Sequence, residues 1–251
     1  MDSLKIIQFD NLKSHSYLAH AFSTRIGGFS HHPYQSMNLG LTCGDDPQIV
    51  QNNRDKYFNY LDIPQDLLVF PVQIHSDNIQ IVNTPGIVND CDALITQTTD
   101  LFLTIQTADC FPVFVFDPLT MTIAIIHSGW KSSAVNIAGK TIQKMKTELG
   151  VDPSEVIAGI GPGVQTQNFQ VDEPVYKQFK SKYFTPDGPG HYKMDLQQVI
   201  FDQLIATGLS KYNIERNSDC TYEKHELYYS YRRDGQNSGR MMGVIGLRSK
   251  S

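Results

Sequence analysis

Apolar residues come along this chain in short unbroken runs rather than in strict alternation. LLVFPVQIH (Leu67 to His75) runs into IQIV (Ile79 to Val82), and DALIT, LFLTIQT and VIAGIGPGV (Val156 to Val164) are built the same way. Runs that are apolar at both parities belong to strands covered on two sides. Helix signals separate them. Asp46-Pro47 opens a helix through QIVQNNRDKYFNYL, with proline in its first turn. Ser132 or Ser133 caps a second helix that runs to about Leu149 and closes at Gly150. Further helices are expected around Glu173 to Lys182 and Leu196 to Gly208. TRIGGFS (Thr24 to Ser30) and SMNLGLTCGDD (Ser36 to Asp46) read as loops around short strands, and LYYSYRRDGQNSGRMMGVIGL as two strands joined by a Gly-rich polar loop. The pattern predicts a layered α/β (α+β) fold with central mixed β-sheets covered by helices.

The longest run, TADCFPVFVFDPLTMTIAIIHSGWK, reads as a hairpin: Phe111 to Phe116 and Thr122 to Ile126 are strands, and Asp117 to Thr120 supply the turn. With Pro118 and Leu119 as a two-residue loop, Asp117 pairs with Thr120. Stepping back along both strands then sets Cys110 opposite His127 on one face, with Cβ atoms about 5 Å apart. A one-residue slip would send one of the two to the other face.

Length and composition narrow the class. With 251 residues, no Gly/Ser-rich or charged linker and no repeat, residues 1–251 are expected to form a single domain with a large core. A net charge of −5 gives no reason to expect a nucleic-acid partner. Asp117-Pro118 interrupts the longest apolar stretch, which argues against a membrane span. The opening MDSLKIIQFDNLKSH has early acids and no long apolar core, so no secretory leader is expected. The four cysteines, Cys43, Cys91, Cys110 and Cys220, form no CxxC pair, which points to free thiols in a reducing, cytoplasmic setting.

Three residues at apolar strand ends carry the candidate chemistry: His75, Cys110 and His127. One thiolate and two imidazoles suit zinc, with a fourth position left for water or substrate. The residue types alone leave a plainer reading open, with hydrogen-bonded structural histidines and a cysteine serving as a small hydrophobe. His15, His20, His31, His32, His191 and His225 read as surface or loop residues. A second group is cationic: Arg25 in a Gly loop, Lys131 after Gly129-Trp130, and Arg232, Arg233 and Arg240 around the terminal loop. Together they allow an anion pocket, although each alone reads as a solvated charge. Asp109, Asp90 and Asp92 are available for proton transfer; Asp109, pointing away from Cys110 on a strand, reads first as a supporting or turn residue. Trp130, the only tryptophan, reads as packing or a pocket wall.

The segments TRIGG, SMNLG, GDD with NNR, QIHS, DCDALIT, TADCFPV, IIHSGWK, IGPGV and SYRRDGQNSGRM, spread nearly end to end, form a known combination. The chain resembles the bacterial laccase-domain or polyphenol-oxidase-like family, described as purine nucleoside phosphorylases with adenosine deaminase activity. The resemblance implies zinc held by His75, Cys110 and His127 as the catalytic centre. It further implies phosphorolysis of adenosine, inosine and 5′-methylthioadenosine, and hydrolytic deamination of adenosine. Partners would be purine nucleosides and phosphate; of the cationic loop residues, Arg25, Lys131 and Arg240 are the candidates for a phosphate cradle, without a choice among them. The chain departs from the family's usual pattern in HSGWKS, where Lys131 replaces an arginine, in Gly163, and in Phe169-Gln170-Val171. Lys131 keeps the charge without the bidentate fork. Three other readings stand beside this one. Cys110 and His127 form the nucleophile and base of an amide hydrolase, a role that fits the family's link to peptidoglycan precursor editing. A copper laccase would need many histidines, commonly in HxH pairs, whereas the close pair here is His31-His32. A nucleoside-sensing module would carry structural zinc, normally with four protein ligands.

Overall fold

The structure, a computed structural model, describes residues 3–249. Two six-stranded mixed sheets stack face to face. The first runs in the order Ile6–Ile7, Leu18–Ser23, Met241–Leu247, Phe102–Thr107, Leu68–Pro71, Gly86–Val88. The second runs Ile214–Arg216, Ile157–Ile160, Phe111–Asp117, Thr122–Ser128, Ala93–Thr96, Ile79–Ile81. Each combines antiparallel and parallel neighbours: Met241–Leu247 is antiparallel to both partners, whereas Leu68–Pro71 is parallel to both of its own. A small third sheet joins Gln170–Asp172, His191–Met194 and Phe184–Pro186.

The two-sided burial expected from the unbroken apolar runs follows from this stacking. Phe114, Phe116, Ile123 and Ile125 face Phe22, Leu103, Ile105 and Ile245 across the inter-sheet core. A Cβ on Gly243 would come within 2.9 Å of Phe114, so the sheets close there on a residue without a side chain. The alternate residues of the same strands, Val113, Val115, Ala124 and Ile126, pack under the helices Ile137–Leu149 and Leu196–Ala206. Helix Pro47–Tyr60 covers the first sheet through Tyr57, Phe58, Met242 and Val244. The layers therefore run helix, sheet, sheet, helices, and each fully buried phenylalanine contributes about 1.5–3 kcal/mol. No helix among the described residues is long and apolar enough to cross a membrane.

Local signals explain where the elements begin. Asp46 caps helix Pro47–Tyr60 by accepting from Gln48 N, and Pro47 sits in its first turn. Several expected elements are shorter or divided. The stretch after Gly129 holds two helices, Trp130–Ala134 and Ile137–Leu149, separated by the left-handed Asn136. The first starts at Trp130, and the Ser132 hydroxyl reaches back to accept from Gly129 N. The helix at Glu173 ends at Tyr176. Leu227–Ser230 is not a strand, because Tyr228 and Tyr229 are both buried with hydroxyls bonded to Asp219 and to Tyr34 O. The run from Leu67 stops at Pro71, and Ile79–Ile81 joins the other sheet.

The hairpin register also differs from the expected one. Its loop has four residues, because Asp117 accepts from Leu119 N, Thr120 N and Thr120 Oγ1, and Met121 turns with φ +54. Asp117 consequently pairs with Thr122, and Pro112, not Cys110, pairs with His127. The shift is two residues on one strand, which preserves parity and leaves Cys110 a diagonal neighbour on His127's face.

His20, expected at the surface, is 3% exposed on strand Leu18–Ser23, where Nε2 accepts from Phe9 N at 2.9 Å. Burial, helped by nearby Lys13, lowers its pKa to about 4. Its folded-state value lies below the ordinary one, so its contribution is complete above about pH 6.5 and is lost as pH falls toward 4, by up to about 3 kcal/mol. In denaturant titrations of metal-free protein, His20→Gln keeps an acceptor for Phe9 and removes the titration. It should lose clearly less stability than the wild type between about pH 7 and about pH 5. Parallel losses would exclude His20 as the acid-sensitive group.

Candidate metal and active site

The site is assembled around the carboxylate of Asp92, which is fully buried and immediately precedes strand Ala93–Thr96. That strand pairs with Thr122–Ser128, and His127 N donates to Asp92 O at 2.8 Å. The Asp92 side chain accepts from Ile74 N, His75 N, Ser76 N, Ser76 Oγ and His127 Nδ1 at 2.7–3.2 Å. Burial pushes its pKa up, but these donors outweigh burial and hold it at about 2. An ionised Asp92 fixes Nδ1 of His127 as the donor, which leaves Nε2 for the Cys110 side. The same carboxylate holds the loop that carries His75 at φ +60, an unusual conformation for a histidine.

Cys110 is presented by a second buried acid. Asp109, at φ +85, accepts from Thr221 Oγ1 at 2.7 Å and from Arg232 N at 2.6 Å, and burial raises its pKa. Asp109 thus ties the turn before Cys110 to the Tyr231–Asp234 helix and acts as the supporting residue its position suggested.

The donor atoms of His75, Cys110 and His127 all lie within 4.8 Å of one another, the one such cluster of three or more His, Cys, Asp or Glu groups among the described residues. Cys110 Sγ is 3.8 Å from His75 Nε2, and the two imidazoles meet edge to face at 4.7 Å between centroids. A Cβ at position 129 would stand 2.8 Å from Cys110 Sγ and 3.1 Å from His75 Cδ2, so the cluster depends on a glycine there. Without a metal, burial opposes charge on both Cys110 and His127, but their mutual attraction prevails. The thiol is driven down and the imidazole up, a thiolate–imidazolium pair supported by Asp92.

The three residues are graded in depth: His127 is buried, Cys110 half-buried and His75 exposed. They open into a cavity of about 840 Å³. Phe70, Trp130, Phe169 and Leu196 supply apolar wall, Gln73, Gln106 and Thr107 polar wall, and Arg54, Lys131, Arg232 and Arg240 positive charge. Trp130 is therefore a wall of this cavity. Arg25 is not in its lining. Its Nε donates to Gln35 O, its Nη1 to His225 O, and its guanidinium lies over Tyr229, so it braces two loops. Gln73 is occupied by a two-way bond with the Gln106 backbone.

Sequence reasoning gave no role to Arg54 and took Asp92 for a proton-transfer acid. A signal for Arg54 exists in the helix period. Val50, Asn53, Tyr57 and Phe58 form the buried stripe of Pro47–Tyr60, and Arg54 falls within it. A positively charged residue on an apolar stripe is a strong reason to look for an anion. Asp92 could not be weighed without knowing which strand lies beside Ala93–Thr96.

Asp92→Asn removes the charge that orients His127 and straps the His75 loop. It should weaken metal binding by about 10–100-fold in competition against a chromophoric chelator, with the fold retained by circular dichroism. Unchanged affinity would remove Asp92 from the support of the site.

The architecture is shared with solved proteins. It matches the crystal structure of the Bacillus licheniformis hypothetical protein YfiH with a TM-score of 0.93 at 31% identity over 98% of both chains. It matches YlmD from Geobacillus stearothermophilus with a TM-score of 0.91 at 29% identity, over 96% of this chain and 94% of that one. Among curated relatives, a purine nucleoside phosphorylase of Bacteroides thetaiotaomicron is 31% identical over 96% of each chain. One of Corynebacterium glutamicum is 34% identical over 90% of this chain and 93% of its own. The family model described as multi-copper polyphenol oxidoreductase laccase matches residues 19–248, and the chain belongs to that family, whose similar curated relatives are named purine nucleoside phosphorylases.

Proposed function

We propose that this chain is a zinc-dependent purine nucleoside phosphorylase acting on adenosine, inosine and 5′-methylthioadenosine, which also deaminates adenosine at the same site. The observation that carries the reading is the opening of the His75–Cys110–His127 cluster into a cavity lined by four cationic side chains. The names of the relatives support the phosphorylase part.

The donor set fits zinc. Bonds of about 2.3 Å to sulfur and about 2.1 Å to nitrogen give a tetrahedral edge near 3.6 Å, and the Cys110–His75 separation is 3.8 Å. A His₂Cys set also suits a blue-copper centre, which adds a weak axial methionine, glutamine or carbonyl oxygen to the three ligands. The open side of the cluster meets space large enough for a nucleoside. When bound, zinc supplies Lewis acidity, which acidifies water or polarises a leaving group.

The remaining work belongs to the chain. Phosphorolysis develops positive charge on the ribose as an anion approaches, so phosphate must be held next to that carbon by fixed cations. Arg54, Arg240 and Lys131 line the cavity, which supports assigning them that role. Phe70, Trp130 and Phe169 offer faces for a purine and exclude water around it.

The Cys110–His127–Asp92 arrangement favours one second reading, a cysteine-dependent amide hydrolase. Metal separates the two, because coordination to zinc makes a thiolate a poor acyl nucleophile, whereas a covalent cysteine mechanism survives chelation.

Purified protein of measured metal content, incubated with adenosine, should give adenine only when phosphate is present and inosine whether or not phosphate is present, as read by chromatography. Cys110→Ala should lose the metal and at least about 100-fold in both products. Retained zinc with full turnover in that variant would refute the site assignment. Amide hydrolysis that persists in chelator would establish the second reading.

A further inference from the structure

Of the four cations that line the cavity, Lys131 and Arg232 are exposed and Arg240 is half-buried. Arg54 differs from all of them. It is 7% exposed, in the middle of helix Pro47–Tyr60. Nε donates to Leu39 O at 2.9 Å, its one hydrogen bond, and the guanidinium lies 4.9 Å over the Phe70 ring. No ion pair among the described residues includes it, and burial alone lowers its pKa, to about 10, with no carboxylate opposing that shift. A guanidinium carries five N–H donors in a fixed fork, and four of these, on the two terminal nitrogens, have no hydrogen-bond partner among the described residues. Those nitrogens are not enclosed by protein: they face the cavity, where water or an anion can reach them, so Arg54 presents a fixed and unfilled fork to an anion that binds there.

Arg240 is fastened to the same short stretch. Its backbone N donates to Asn38 Oδ1, its carbonyl accepts from Leu39 N, and its side chain packs so closely on Gly40 that a Cβ there would sit 2.7 Å from Cγ. Arg240 Nη1 is spent on Ser238 O and Gly239 O, which leaves Nη2 without a hydrogen-bond partner among the described residues. Asn38 is held in turn by Asp45, and Leu39–Gly40 lies between the two arginines.

We propose that Arg54 and Arg240, both anchored on Asn38–Gly40, form a preorganised clamp for a tetrahedral oxyanion, with Arg54 as the principal anion ligand. Inorganic phosphate is the occupant the cavity favours, an assignment of substrate that rests on the phosphorylase reading. The clamp relocates the anion subsite: the helix-borne Arg54 takes the place that the reading of cations in glycine-rich loops gave to Arg25. A planar fork already fixed by Leu39 O and Phe70 loses little freedom on binding, so bidentate capture is its natural use.

The test measures the melting temperature of zinc-loaded protein against increasing inorganic phosphate at constant ionic strength, together with the KM for phosphate in adenosine phosphorolysis. Wild type should be stabilised saturably by phosphate. Arg54→Met, which removes the fork and keeps an apolar stem on the stripe, should bind phosphate at least about tenfold more weakly. Its KM for phosphate should rise by a similar factor, more than its KM for adenosine. Arg54→Lys, which keeps charge and loses the fork, should fall between the two. If Arg54→Met is too unstable to assay, the lysine variant decides, and unchanged phosphate affinity in it overturns the proposal. Wild-type protein that shows no phosphate stabilisation also overturns it. The two readings fail separately. Phosphate-dependent adenine with an unaltered KM in the Arg54 variants removes the clamp and leaves the phosphorylase, whereas phosphate stabilisation lost in Arg54→Met without any nucleoside turnover leaves the clamp and removes the phosphorylase.

Discussion

A single buried carboxylate sets the geometry of this site. Asp92 accepts five hydrogen bonds, three of them from consecutive backbone amides of the His75 loop and one from the ring of His127. A buried anion is tolerated only when its donors are in place, so loop and imidazole are held to positions that satisfy it. Two of the three clustered donors are therefore oriented by a group that lies outside the cavity lining. The third, Cys110, depends on Asp109, whose two oxygens bind Thr221 and the backbone of Arg232.

The sheet stacking determines where these acids act. Pairing of Ala93–Thr96 with Thr122–Ser128 sets Asp92 beside His127, and the antiparallel Phe111–Asp117 strand brings Cys110 to the same edge. The other sheet contributes Phe70, Gln73 and Gln106 from the ends of its own strands. Rigid strands thus supply the cluster, and the loops leaving them supply the walls. Helix Pro47–Tyr60 covers the first sheet with an apolar stripe and carries one cation through that stripe into the cavity. Catalytic sites tolerate such local violations of the packing rules because the ligand completes them.

Much of this was readable before any coordinates. Unbroken apolar runs gave two-sided strands, and Asp46-Pro47 gave a helix start that the structure places at Pro47. The QIHS, TADC and IIHSGW segments marked the three donor residues. Other readings failed for physical reasons that a local window does not contain. The hairpin loop gained two residues because the Asp117 side chain, rather than loop length, dictates the turn. His20 was taken for a surface residue because nothing in LAHAF announces that Phe9 N will donate to its ring. Arg25, among glycines, looked like an anion ligand, and its guanidinium is instead consumed by two backbone carbonyls.

The sequence by itself determined where the main buried strands and the longer helices lie, their two-sided burial and the reactive residue types, because periodicity, caps and residue chemistry are local properties. Tertiary structure alone decided which acid orients which histidine, which arginines reach the cavity, and that one of them arrives from a buried helix stripe with its terminal nitrogens turned to the cavity. Those facts depend on pairs such as Asp92 with His127 and Arg54 with Leu39 and Phe70, which are brought together by sheet order and not by spacing along the chain. Electrostatics in a low-dielectric interior is decided by such neighbours, and chain distance carries no record of them.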